Sequence, residues 1–94
     1  MDDIFDTLFG IPYSGMGKQD TVGSTQVGDY LIDTCWTVDQ GYETAISKLN
    51  HDWVVVQRCA TRDEAVKGHS DWMSACALEP DALWSVQLDM VVNL

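Results

Sequence analysis

WVVVQRCATRDE, residues 53–64, carries the two signals that decide the fold. Its first part, Trp53 through Ala60, is dominated by β-branched and apolar side chains and reads as a strand fit for the centre of a sheet. The character then changes at Thr61-Arg-Asp-Glu64, which is a capping box. The Thr61 hydroxyl accepts from the amide of Glu64, and the Glu64 carboxylate reaches back to the amide of Thr61. A strand that runs straight into a helix start is the hinge of an α+β unit.

Forward of this hinge, Ala65, His69, Trp72 and Cys76 fall on one helical stripe with Met73 beside it. Lys67, Ser70, Asp71 and Ser74 cover the opposite side. Gly68 costs about 1 kcal/mol against alanine inside a helix, which predicts the close approach of another backbone. Pro80 ends the helix. Trp84, Val86, Leu88, Met90 and Val92 then alternate with polar residues and Val91, predicting one closing strand with an apolar face.

Behind the hinge, Tyr30, Ile32, Thr34, Trp36 and Val38 alternate with Leu31, Asp33, Cys35 and Thr37. Asp39-Gln-Gly41 is a turn signal, and residues 42–49 resume extended character, so a hairpin is expected. The expected order is β-β-β-α-β: an α+β fold in which one helix packs across a small antiparallel sheet of about four strands. Trp53, Trp72 and Trp84 are expected in its core, with Trp36 and one or two tyrosines available for a subunit interface.

Residues 1–29 differ from this compact domain of residues 30–94. Ile4, Phe5, Leu8 and Phe9 share one face of a short helical repeat, too brief to be helical alone in water. Gly10, Gly15, Gly17, Gly23 and Gly28 follow, with Pro12 and several serines, as a flexible strap. The reading is an extended arm whose apolar residues, Ile4, Phe5, Leu8, Phe9, Ile11 and Tyr13, bind a partner together with Trp36.

Net charge is −10, from 15 acidic and 5 basic side chains. It is spread over both parts: residues 1–40 hold seven Asp and one Lys, residues 41–94 eight acids and four bases. Phosphate-backbone binding needs clustered Lys and Arg, so direct nucleic-acid contact is not expected. Cys35, Cys59 and Cys76 are odd in number and lack CxxC spacing, so they read as reduced core residues rather than disulfides or a zinc ribbon. His51 and His69 have no ligand-like spacing to them, and no metal or cofactor is expected. No glycine pattern matches a phosphate loop, the acids form no paired-carboxylate pattern, and the cysteines sit in strand and helix interiors. The chain therefore reads as non-enzymatic. Neither a secretory leader nor a membrane-spanning run is expected.

Residues 41–73 carry Gly-Tyr-Glu-Thr-Ala-Ile46, Trp-Val-Val-Val56, Ala-Thr-Arg-Asp-Glu-Ala65 and Gly68-His69 before Trp72. This segment, about a third of the chain, resembles a motif of small tailed-bacteriophage proteins. The resemblance implies a phage origin among virion or assembly genes and brings no catalytic residue with it. The expectation is a minor structural protein of the virion, made in the host cytoplasm, that docks on larger capsid, connector or tail subunits and on copies of itself. The alternative is an acidic inhibitor of a host nucleic-acid-binding or defence protein, with the charge of −10 competing for a basic groove.

Overall fold

The computed structural model describes residues 20–49 and 51–94. Strands β1 (Asp20–Val27), β2 (Tyr30–Thr37), β3 (Gly41–Lys48) and β4 (Val54–Cys59) form an antiparallel meander in that order. Helix α1 (Arg62–Cys76) crosses it, and β5 (Ala82–Ser85) pairs with β6 (Met90–Asn93) as a separate two-stranded ribbon. The fold is α+β, as expected.

The hairpin, the following strand and the helix lie where the periodicity puts them. The capping box is complete: Thr61 Oγ1 accepts from Glu64 N at 3.2 Å, and Thr61 N donates to Glu64 Oε1 at 3.2 Å. The helix ends through a left-handed Glu79 (φ 58°) followed by Pro80.

Four expectations need correction. Residues 20–27 are a strand of the sheet, not part of a strap. β1 is an edge strand held by its backbone ladder to β2, so it needs no continuous apolar face. Gly28 takes φ 57° at the first position of a two-residue hairpin loop, where glycine adopts that conformation without steric cost. β4 is not central but the far edge of the meander, and the Val86 amide donates to its Val55 carbonyl at 2.9 Å. The closing strand is instead a hairpin. The Asp89 amide donates to the Ser85 carbonyl (2.8 Å), the Leu88 amide to Ser85 Oγ (2.9 Å), and Asp89 has φ 57°. A tight turn therefore interrupts the alternation at residues 86–89.

The fourth correction concerns the core. It comprises Tyr30, Ile32, Ile46, Val54, Val56, Cys76 and Leu83, with Trp72, Met73, Val27, Val92 and Leu94 packed against it. Trp53 is half-buried and Trp84 is exposed. Tyr30 is buried, and its hydroxyl donates to the Pro80 carbonyl at 2.6 Å. An aromatic body inside with its hydroxyl satisfied is the arrangement a buried tyrosine needs.

Register assigns the two sheet faces. Tyr30, Ile32, Thr34 and Trp36 stand opposite Lys48, Ile46, Thr44 and Tyr42 on the face that carries α1. Leu31, Asp33, Cys35 and Thr37 stand opposite Ser47, Ala45, Glu43 and Gly41 on the other. A bulge between Thr44 and Ala45 shifts β4, so that Val54 faces the core while Val55 stands opposite Ala45 on the second face.

Candidate interaction surface

Two sites merit chemical inspection: a polar cluster under α1 and the outer face of the β5–β6 hairpin. At the first, His69 Nδ1 lies 2.8 Å from Thr34 Oγ1, and Nε2 lies 3.0 Å from Thr25 Oγ1. Thr34 Oγ1 is in turn 2.7 Å from Thr44 Oγ1. Burial pushes the His69 imidazole below the ordinary histidine range. With both ring nitrogens engaged by hydroxyls, the neutral ring pins the helix to β1 and β2. It has no nitrogen left for a substrate.

Beside it, Gln57 bridges the helix and β4. Its Oε1 accepts from Trp72 Nε1 at 2.8 Å, and its Nε2 donates to Cys59 Sγ at 3.2 Å. The group that approaches Gly68 is this side-chain amide rather than a backbone, since a Cβ on Gly68 would lie 2.6 Å from Gln57 Oε1. Cys59 and Cys76 are free thiols. Burial raises the thiols of Cys59 and Cys76, which disfavours the thiolate that nucleophilic chemistry uses. His51 Nδ1 donates to the Asp52 carbonyl at 2.8 Å. Among the described residues no group of three His, Cys, Asp or Glu side chains is placed to hold a metal, and no helix is long and apolar enough to cross a membrane.

The hairpin is different in kind. Its inner side is fastened by Leu83, which is buried in the core, by Val92 and Leu94 packed against that core, and by the Leu94 amide donating to the Asp81 carbonyl at 2.8 Å. Its outer side presents Trp84 directly across from Val91, at 51% and 52% exposure. Leu88 in the turn is 61% exposed, while Met90, opposite Ser85, alternates to the other side of the ribbon. Within residues 82–94 the sole charged side chain is Asp89. Among the described residues β6 has a ladder partner on one side alone, β5. An open strand edge beside a tryptophan-centred apolar patch is suited to docking another protein.

Of the interface residues expected from the sequence, Ile4, Phe5, Leu8, Phe9, Ile11 and Tyr13 lie outside the described residues. Trp36 is half-buried, across from Tyr42 on the helix-bearing face and not in the hairpin patch. In the sequence Trp84 and Leu88 fall on one apolar alternation that reads as a single inward-facing strand, which hides the patch. The signal that separates them is Ser85 with Asp89: a hydroxyl able to cap a turn and a residue tolerant of positive φ.

No family model, curated protein or solved structure matches this chain.

Proposed function

We propose that this chain is a non-enzymatic assembly component of a tailed-bacteriophage particle, docking on a larger capsid, connector or tail subunit through its β5–β6 hairpin. The observation that carries the reading is the outward cross-strand pair Trp84–Val91, with exposed Leu88 in the turn beyond it, on a ribbon whose strand β6 has, among the described residues, a ladder partner on one side alone. Tryptophan at the centre of an apolar patch is a frequent anchor of binding energy, and an unpaired strand can extend a partner's sheet. The phage assignment is supported by the resemblance of residues 41–73. The low basic content supports a protein partner over a nucleic acid.

Mass spectrometry of purified particles tests this reading, which expects the chain at many stoichiometric copies. Its absence from particles, together with capture of a host protein that releases at high salt, would replace the reading with the acidic-inhibitor alternative.

A further inference from the structure

Among the described residues, β6 is the one sheet edge without a device that blunts it. β4, at one side of the meander, is followed by the ribbon, whose Val86 amide donates to the Val55 carbonyl. β1, at the other side, carries a bulge between Thr21 and Gly23, which bends a strand and disturbs further pairing. β6, Met90-Val-Val-Asn93, pairs in unbroken register, holds neither charge nor proline, and has its single described ladder partner in β5.

Register fixes which groups that edge presents. The Leu94 amide donates to the Asp81 carbonyl, one step beyond the Ala82–Asn93 pair. Antiparallel pairs alternate between bonded and non-bonded, so Val92 and Met90 turn their backbone groups to β5. The amides and carbonyls of Val91 and Asn93 therefore point away from it. Side chains alternate too, and Met90, Val92 and Leu94 share the inner side. Val92 and Leu94 pack against the core there, and Leu83 and Ser85 across the ribbon are 5% and 1% exposed. Met90 on that same side is 52% exposed. The inner apolar row thus runs on past the place where its own core covers it.

We propose that β6 pairs with β6 of a second copy of this chain, antiparallel about a two-fold axis at Val92. In that register Val91 of each copy exchanges both backbone bonds with Asn93 of the other, using the groups that β5 leaves over. On the inner side Val92 meets Val92 and Met90 meets Leu94, so the apolar row is its own complement. Charge favours this approach. With a net charge of −10 two copies repel over most of their surface, but within residues 82–94 Asp89 is the sole charged side chain. One strand pair buries less than the roughly 1,000 Å² of a firm interface, so the dimer is weak and depends on concentration. The outer side stays open: the joined ribbon has four strands and presents two Trp84–Val91 pairs, which lets a dimer dock at two points. The pairing names the sheet that the free edge extends, and it stands on that edge and not on the particle assignment.

Analytical ultracentrifugation of the full chain from about 10 to about 500 μM is expected to show the weight-average mass rising from one chain toward two. A one-chain mass throughout overturns the proposal and leaves the edge to a strand of another protein. Masses that climb past two chains overturn the closed two-fold. Amide exchange followed by NMR locates the seam. On concentrating the natural chain, the Val91 and Asn93 amides should slow by about fivefold or more while those of β1 do not, and slowing that spares these two overturns the proposal. Met90→Asp places a charge in the inner row, and Asn93→Pro removes an edge donor that β5 does not use. Both should melt cooperatively and keep a one-chain mass at the highest concentration. A folded variant that dimerises as the natural chain does overturns the proposal, and where neither folds the exchange measurement decides. Trp84→Ser, on the outer side, should keep the two-chain mass even where docking is lost; dissociation by it would move the seam to the outer face and overturn the edge pairing.

Discussion

The imidazole of His69 occupies the space that a side chain on Gly23 would need: a Cβ there would lie 2.8 Å from Nε2 and 3.0 Å from Cδ2. A glycine in the edge strand β1 is thus the counterpart of a histidine forty-six positions away on α1 (69 − 23). The ring has no room to retreat, because Thr25 and Thr34 hold both its nitrogens.

Gly23→Ala is therefore expected to destabilise the domain by about 1–3 kcal/mol, as overpacking does in a close-packed interior. For a domain of this size each kcal/mol lowers Tm by roughly 4–8 °C. Thermal unfolding followed by circular dichroism measures it; a Tm equal to that of the natural chain would contradict the contact.

Stability should also fall on mild acidification. Burial holds the His69 pKa below its ordinary value, so the unfolded chain, near 6.5, binds a proton more readily than the folded one. The stabilisation is then fully present above about pH 6.5 and is lost as pH falls through the folded value. Urea midpoints between pH 7.5 and 5 should decline, and His69→Gln should flatten that part of the decline. Equal slopes in both chains would exclude His69 as the origin.

Gly68 and Gln57 should be energetically coupled. In an otherwise natural chain Gly68→Ala displaces the amide that accepts from Trp72, offsetting the gain in helix propensity of about 1 kcal/mol. In a Gln57→Ala background the same substitution should stabilise by about 0.5–1 kcal/mol. A double-mutant cycle reads the difference; identical effects in the two backgrounds would refute it.

Trp84→Ser should separate docking from folding. The side chain is half exposed, so stability should change by no more than about 0.5 kcal/mol. Loss of a binding anchor of about 2 kcal/mol weakens association roughly thirtyfold. Incorporation into particles should drop accordingly, while Val38→Ser, at an exposed turn away from the hairpin, should have no effect. Incorporation unchanged by Trp84→Ser would remove the hairpin from consideration as the docking surface.

The capping box at Thr61, the stripe of Ala65, His69, Trp72 and Cys76, and the alternation from Tyr30 to Thr37 all act within one or two turns of chain or across adjacent residues. Such signals survive into the fold because their partners are a few positions away. β1 is not legible in the sequence, because its glycine and polar residues are acceptable only where β2 supplies the ladder and His69 fills the space above Gly23. The outer face of the β5–β6 hairpin is illegible for a related reason. Trp84 and Val91 are neighbours only after residues 86–89 have turned.

From its residues alone, this chain was committed to an antiparallel hairpin, a capped amphipathic helix and a surface poor in positive charge, since backbone propensity and side-chain period are local quantities. Which strand lies at an edge, which tryptophan faces outward and which sheet face is closed were decided by tertiary structure. Those outcomes depend on contacts between residues tens of positions apart, such as Val86 with Val55, Tyr30 with Pro80 and His69 with Thr25. No local period encodes which of several compatible partners such a residue will meet.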